Sequence, residues 1–155
     1  MSTTATAYIA SVPETQQLFR TKFDHKPFAF RHTLHQSPMF TMDAVLDLAA
    51  RLAPKAGRWY FEQGDANPKA GWTAGDVKLP LLEVLKGIAG NQSLVMFKRV
   101  QLEPDYKVIL DALQEELSDM FGFDMTTRYR DGLMTVLVAS PGRVTHITLT
   151  ARLIC

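Results

Sequence analysis

Apolar residues recur at helical spacing in three stretches of the chain. Thr41 stands where the N-cap of the first helix belongs, and the apolar stripe behind it ends near Pro54. Pro80 suits the first turn of the second helix, which Gly90 can end, and Pro104 opens the third. The three stripes are Val45, Leu46, Leu48, Ala49 and Leu52; Leu81, Leu82, Val84, Leu85 and Ile88; and Tyr106, Ile109, Leu110, Leu113, Leu117 and Met120.

Two other stretches have the pattern of strands. Residues 27–34 (PFAFRHTL) alternate with a period of two, which predicts a strand with Phe28 and Phe30 inward. Residues 133–139 (LMTVLVA) are nearly all apolar, which predicts a strand buried on both faces and paired with neighbouring strands. The remaining predicted elements are a helix over 13–23, strands over 57–61 and 93–100, and an exposed loop over 63–78. Helices interleaved with a few short strands indicate an α+β fold.

Length and composition narrow the class of protein. The 155 residues predict a single domain over 1–155, and residues 1–12 are expected to be flexible. With 46% hydrophobic residues and a net charge of +1, the chain has no basic stripe for nucleic acid and no apolar run long enough for a bilayer. The start has no signal-peptide pattern, and the single cysteine, Cys155, excludes an internal disulfide framework. Together these features predict a cytoplasmic protein.

The side chains that could carry chemistry form no complete catalytic motif. His32 and His35 lack the i, i+4 spacing of a helical metal pair and the H-x-D spacing of a strand, so a structural role is favoured over metal binding. His25 lies in a polar turn and is predicted to be solvated. The carboxylates predicted to form a solvated face of the third helix are Glu115, Glu116 and Asp119.

Two groups of aromatic residues are alternatives for binding. Trp59, Tyr60 and Phe61 could stack on a ligand, but aromatic residues in a strand more often form core, which is the interpretation we favour. Trp72, inside the predicted loop, could cover a pocket or hold a partner, although packing against its own domain is favoured.

The stretch LMTVLVASPGRVTH, residues 133–146, resembles the segment that enters the double-stranded β-helix of cupin-like, JmjC-type (jumonji-related) oxygenases. In that family a strand ending in S-P-x-x-V-T leads into a Y-H-x-D run. Residues 26–52 (KPFAFRHTLHQSPMFTMDAVLDLAARL) also resemble the opening of such proteins. The resemblance implies the N-terminal helical and mixed region of a cupin-like protein. It also implies Fe(II) held by His, Asp and a distant His, with 2-oxoglutarate as cosubstrate and a protein side chain as the substrate that is hydroxylated or demethylated.

The sequence departs from the family pattern directly after His146. Where Tyr-His-Ile-Asp is expected, residues 147–150 are Ile-Thr-Leu-Thr. Deleting the first base of TAT CAC ATT GAC gives ATC ACA TTG AC, which reads Ile-Thr-Leu-Thr. The same shift through Cys155 permits an in-frame Gly-Glu-Thr-Asn-Leu. We therefore expect the N-terminal half of a JmjC-type protein, truncated by a one-base frameshift near residue 147, with the β-helix largely absent. The competing interpretation of residues 146–154 (HITLTARLI) is a genuine final strand.

The frameshift hypothesis predicts a chain without oxygenase activity. Thr148 and Thr150 occupy the expected His and Asp positions, and a threonine hydroxyl is a poor iron ligand. We expect no catalytic residues, no stoichiometric iron and no cofactor in this chain. Unfinished pairing of the strand at 133–139 predicts poor solubility or self-association. The alternative function is an intact small binding or regulatory module that uses the loop around Trp72.

Overall fold

A computed structural model describes residues 7–9, 13–23, 25–63, 80–128 and 132–142. The helices are α1 (Pro13–Lys22), α2 (Met42–Leu52), α3 (Leu81–Lys86), α4 (Pro104–Phe121) and α5 (Met125–Arg128). The strands are β1 (Trp59–Gln63), β2 (Ser93–Phe97) and β3 (Val136–Ala139), and short 3-10 helices cover Leu34–Gln36, Pro38–Phe40 and Val100–Leu102. The fold class is α+β, as predicted. In the described ranges, no helix is long and apolar enough to cross a membrane.

The chain divides into two compact units. One consists of Met1–Leu48 with Arg99–Thr135, and the other of Ala49–Lys98 with Val136–Cys155. The single domain inferred from chain length stays a prediction.

The first unit is built around α4. Pro104 occupies the first turn of this helix, and Gly122 ends it with a φ of 72°, a left-handed conformation that glycine adopts without strain. One cluster of buried apolar residues in this unit contains Tyr8, Ile9, Phe19, Ile109 and Met120. Most of residues 1–12, which the sequence predicts to be flexible, lies outside the described ranges, whereas Tyr8 and Ile9 are buried in this core.

The strand predicted over residues 27–34 is wrong. Residues 27–32 belong to no helix or strand, and among the described residues no strand pairs with them; the chain then enters the 3-10 helix Leu34–Gln36. The alternation nevertheless puts Phe28 and Phe30 against the same ring, with centroids 5.1 and 4.9 Å from that of Phe19. Phe30 remains 41% exposed, because this aromatic contact does not bury the whole ring. The period of two therefore predicts that Phe28 and Phe30 share a side of the segment, but not that the segment has a ladder partner.

The second unit contains a three-stranded antiparallel sheet in the order β1-β2-β3. Tyr60 pairs with Met96 across the first ladder, and Phe97 pairs with Val136 across the second. The central strand β2 is the most completely buried, as expected for a strand with a neighbour on each side. Tyr60 and Phe61 are buried and Trp59 is half-buried, which confirms that the aromatic strand is core.

Helices α2 and α4 follow the predicted stripes closely, whereas α5 is not predicted from the sequence. Thr41 caps α2, since its hydroxyl accepts the N–H of Ala44 at 3.4 Å. Helix α3 is shorter than predicted and ends at Lys86, where the N–H of Gly87 bonds to the carbonyl of Glu83 at 3.2 Å.

Candidate functional site

Strand β3 and the residues after it lead into the segment that the resemblance associates with metal ligands. The pairing of β3 with β2 runs from Val136 to Ala139 and continues one residue further, where the N–H of Ser140 donates to the carbonyl of Ser93 at 2.9 Å. The described chain then ends in the turn formed by Pro141 and Gly142. Ser140 is thus the last described residue whose backbone is bonded to β2.

The Ser140 side chain anchors the C-terminal end of β3. It is 6% exposed, and its hydroxyl accepts the N–H of Ser93 at 2.9 Å while donating to the carbonyl of Ile88. Asn91 lies beside it, with its Oδ1 3.3 Å from the Ser140 oxygen and its amide donating to the carbonyl of Val84 at 2.7 Å. Buried polar groups are stable only when hydrogen-bonded, so this network holds the end of β3 against the loop between α3 and β2.

The backbone conformation of the turn after Ser140 suits proline and glycine, the two residues that form it. Gly142 has a φ of 71°, which lies in the left-handed region that glycine adopts without strain. The ring of the preceding Pro141 fixes the φ of that residue. Both residues are exposed. The S-P-G part of the motif is therefore a buried anchor followed by a tight turn, rather than a set of chemically reactive groups.

The prediction that the strand at 133–139 is buried on both faces is wrong. Within the described residues β3 pairs with β2 alone. Leu137 is 58% exposed, and Leu133, just before the strand, is 64% exposed. Only Val136 in this strand is buried. An apolar run predicts coverage on both faces, but here the coverage stops at one face and leaves large apolar side chains in water.

Several residues weighed from the sequence lie outside the described ranges. These are Trp72 in the predicted loop, His146, Thr148 and Thr150 in the shifted segment, and Cys155 at the end. The structure therefore gives no placement for the positions where the resemblance expects metal ligands.

The described histidines are on the surface. His25 is exposed, as predicted. His32 and His35 are also exposed, and their ring centroids lie 6.1 Å apart. No group of three or more His, Cys, Asp or Glu side chains suited to a metal occurs among the described residues.

The prediction that Glu116 belongs to a solvated face is wrong. Glu115 and Asp119 are exposed or partly exposed, but Glu116 is only 8% exposed. Its two carboxylate oxygens accept the backbone N–H groups of Tyr8 and Ile9, the latter at 2.6 Å. A charge-assisted contact thus holds the N-terminal residues against α4.

The sequence contains a signal for this role of Glu116. The residue lies seven positions after Ile109 and four before Met120, so it falls on the buried stripe of α4. For Glu116, position on the apolar stripe of the helix predicts burial better than side-chain polarity does.

The pKa of the Asp124 carboxyl is shifted. The hydroxyl and then the N–H of Thr126 donate to Asp124 and hold the pKa of this carboxyl below its usual value. Asp124 is exposed and stands just before α5, so these contacts form a helix cap and carry no catalytic chemistry.

Comparison with known proteins adds no family assignment: no family model matches the chain, and no curated protein or solved structure is significantly similar to it.

Proposed function

We propose that the chain is the N-terminal part of a cupin-like, JmjC-type Fe(II)/2-oxoglutarate-dependent oxygenase whose metal-ligand strand is replaced, from Ile147 onward, by an out-of-frame segment. The observation that carries the proposal is β3. It is a paired strand with an exposed Leu137, and it ends in a buried Ser140 and a Pro-Gly turn. This is the order of features that would precede a further β-structure, and four residues (143–146) separate the turn from Ile147, where the shifted reading Tyr-His-Ile-Asp begins.

The exposed apolar side chains support the proposal on energetic grounds. Leu133 in the first unit and Leu137 in the second are each more than half exposed. Complete burial of a leucine side chain contributes about 1.5–3 kcal/mol, so covering Leu137 with following strands would be favourable. In the 155-residue chain, exposed apolar side chains of this kind promote self-association.

The donor set of the present chain does not fit Fe(II). In the resembled family the ligands are imidazole and carboxylate, whereas positions 148 and 150 are threonines here. Neutral hydroxyls compete poorly with water for iron, and His146 by itself would not hold the ion. The 155-residue chain is therefore proposed to be inactive, and the oxygenase function belongs to the frame-restored protein.

Restoring one base near codon 147 is expected to convert an inactive chain into an iron protein. The frame-restored protein should bind stoichiometric Fe(II) and convert 2-oxoglutarate to succinate, because the restored histidine and aspartate supply two of the three ligands. Metal analysis and succinate formation measure this. The matched controls are the 155-residue chain and the frame-restored protein with alanine at position 148. A folded frame-restored protein with no more iron than these controls would contradict the proposal.

A further inference from the structure

The exposed histidines between α1 and α2 form a pair that the spacing rule for α-helices does not detect. His32 and His35 are three residues apart, and His35 lies in the 3-10 helix Leu34–Gln36. His32 lies before this helix, outside regular secondary structure, so the i, i+4 rule for metal pairs on an α-helix does not apply to the two residues. Their rings are tilted by 61° with centroids 6.1 Å apart.

This separation is close to the one that a shared metal ion requires. A metal bound to an imidazole nitrogen at about 2.1 Å lies about 3.2 Å from the ring centre, so two rings on one ion have centres about 4.5–5.2 Å apart. The observed 6.1 Å therefore needs an approach of only about 1 Å. Both side chains are exposed, so rotation about their side-chain bonds can supply it without disturbing the core.

The backbone that carries the pair is already held in place. Between the two histidines, Thr33 donates its N–H to the carbonyl of Tyr8 at 2.8 Å, and its hydroxyl donates to the carbonyl of Ala7 at 3.2 Å. On the outer side, the Phe30 ring packs against His32 with centroids 6.4 Å apart. A site whose backbone is fixed beforehand loses less conformational entropy when it binds an ion.

We propose that His32 and His35 form a two-imidazole surface site for a divalent transition-metal ion of the Cu²⁺, Ni²⁺ and Zn²⁺ class, with water completing the coordination. Imidazole is a preferred ligand of these ions, and Cu²⁺ binds most strongly in the series. The proposal stands on the geometry of His32 and His35 alone and does not use the proposed oxygenase function. A bound ion would also brace Thr33, and through it the docking of Tyr8.

Copper titration of matched variants tests the site. All proteins carry Cys155→Ser, which removes the thiol as a competing ligand and reductant. His32→Gln, His35→Gln and the double variant are compared with His25→Gln, an exposed histidine of the same chain that serves as the control. Each single change at the pair should weaken Cu²⁺ binding by at least about tenfold, the lower end of what loss of even an outer-shell partner costs. His25→Gln should leave the affinity unchanged.

Electron paramagnetic resonance supplies a second measurement, which would not change if His32 and His35 had only a structural role. The Cu²⁺ signal should show two imidazole nitrogens in the parent protein and one in each single variant, at one ion per chain and with no change in particle mass. Equal affinity in the parent and the double variant would overturn the proposal. So would an ion that is bound only between two copies of the chain, or an equal loss of affinity in His25→Gln.

Discussion

Glu116→Ala is expected to lower the free energy of unfolding by about 2–6 kcal/mol, because two buried N–H groups lose their acceptor at about 1–3 kcal/mol each. These are the N–H groups of Tyr8 and Ile9, both residues of the core around α4. Urea unfolding at equilibrium measures the change as a shift of the midpoint at constant slope.

The chain offers a closely matched control for this experiment. Glu115 is on the same helix, one residue earlier, and is exposed, so Glu115→Ala should change the stability by no more than about 0.5 kcal/mol. Glu116→Gln keeps one side-chain carbonyl oxygen and should fall between the two alanine variants. Equal stabilities of the alanine variants at 115 and 116 would show that the contact with the N-terminal residues contributes nothing.

Ser140→Ala is expected to destabilise the sheet by about 1–3 kcal/mol, since the buried Ser93 N–H loses its side-chain acceptor and the carbonyl of Ile88 loses a donor. The substitution changes the side-chain volume little, so the loss reports on hydrogen bonds rather than on a cavity. Hydrogen exchange of the Ser93 amide locates the effect and should become faster than in the parent protein.

A neighbouring exposed hydroxyl gives the comparison for Ser140. Thr135 lies just before β3 and is exposed, so Thr135→Ala should leave the exchange of the Ser93 amide unchanged. If Ser140→Ala also leaves that amide equally protected, the serine does not anchor the end of β3. The S-P-G motif would then have no anchoring role in the sheet.

The helices can be predicted from the sequence because their signals are local. In α2 and α4, the apolar stripe and the first-turn residues lie within one continuous segment, and Thr41 and Pro104 stand at the predicted starts. The central strand β2 can also be predicted, since its residues are apolar on both faces.

Strand pairing and coverage cannot be predicted in the same way, because they depend on residues far along the chain. The alternation around Phe28 and Phe30 places both rings against Phe19 but does not specify a partner strand, and none is paired with the segment in the described residues. The apolar run ending at Ala139 likewise gives no information on what covers Leu137.

The error at Glu116 has a clear physical cause. The charge of Glu116 predicts a solvated side chain, although its place on the stripe of α4 puts it in the core. For this residue, position on the helix rather than residue type decides burial. The structural role favoured for His32 and His35 stays a prediction, and the structure adds that their ring centroids lie 6.1 Å apart.

The nucleotide sequence across codon 147 and downstream is the most direct test of the central claim, that residues 147–155 are an out-of-frame reading of a metal-ligand strand. We predict that adding one base restores Tyr-His-Ile-Asp and opens a further reading frame of roughly equal length, with β-strand patterning and a distal histidine. A confirmed sequence in which no such frame follows in any phase would contradict the claim.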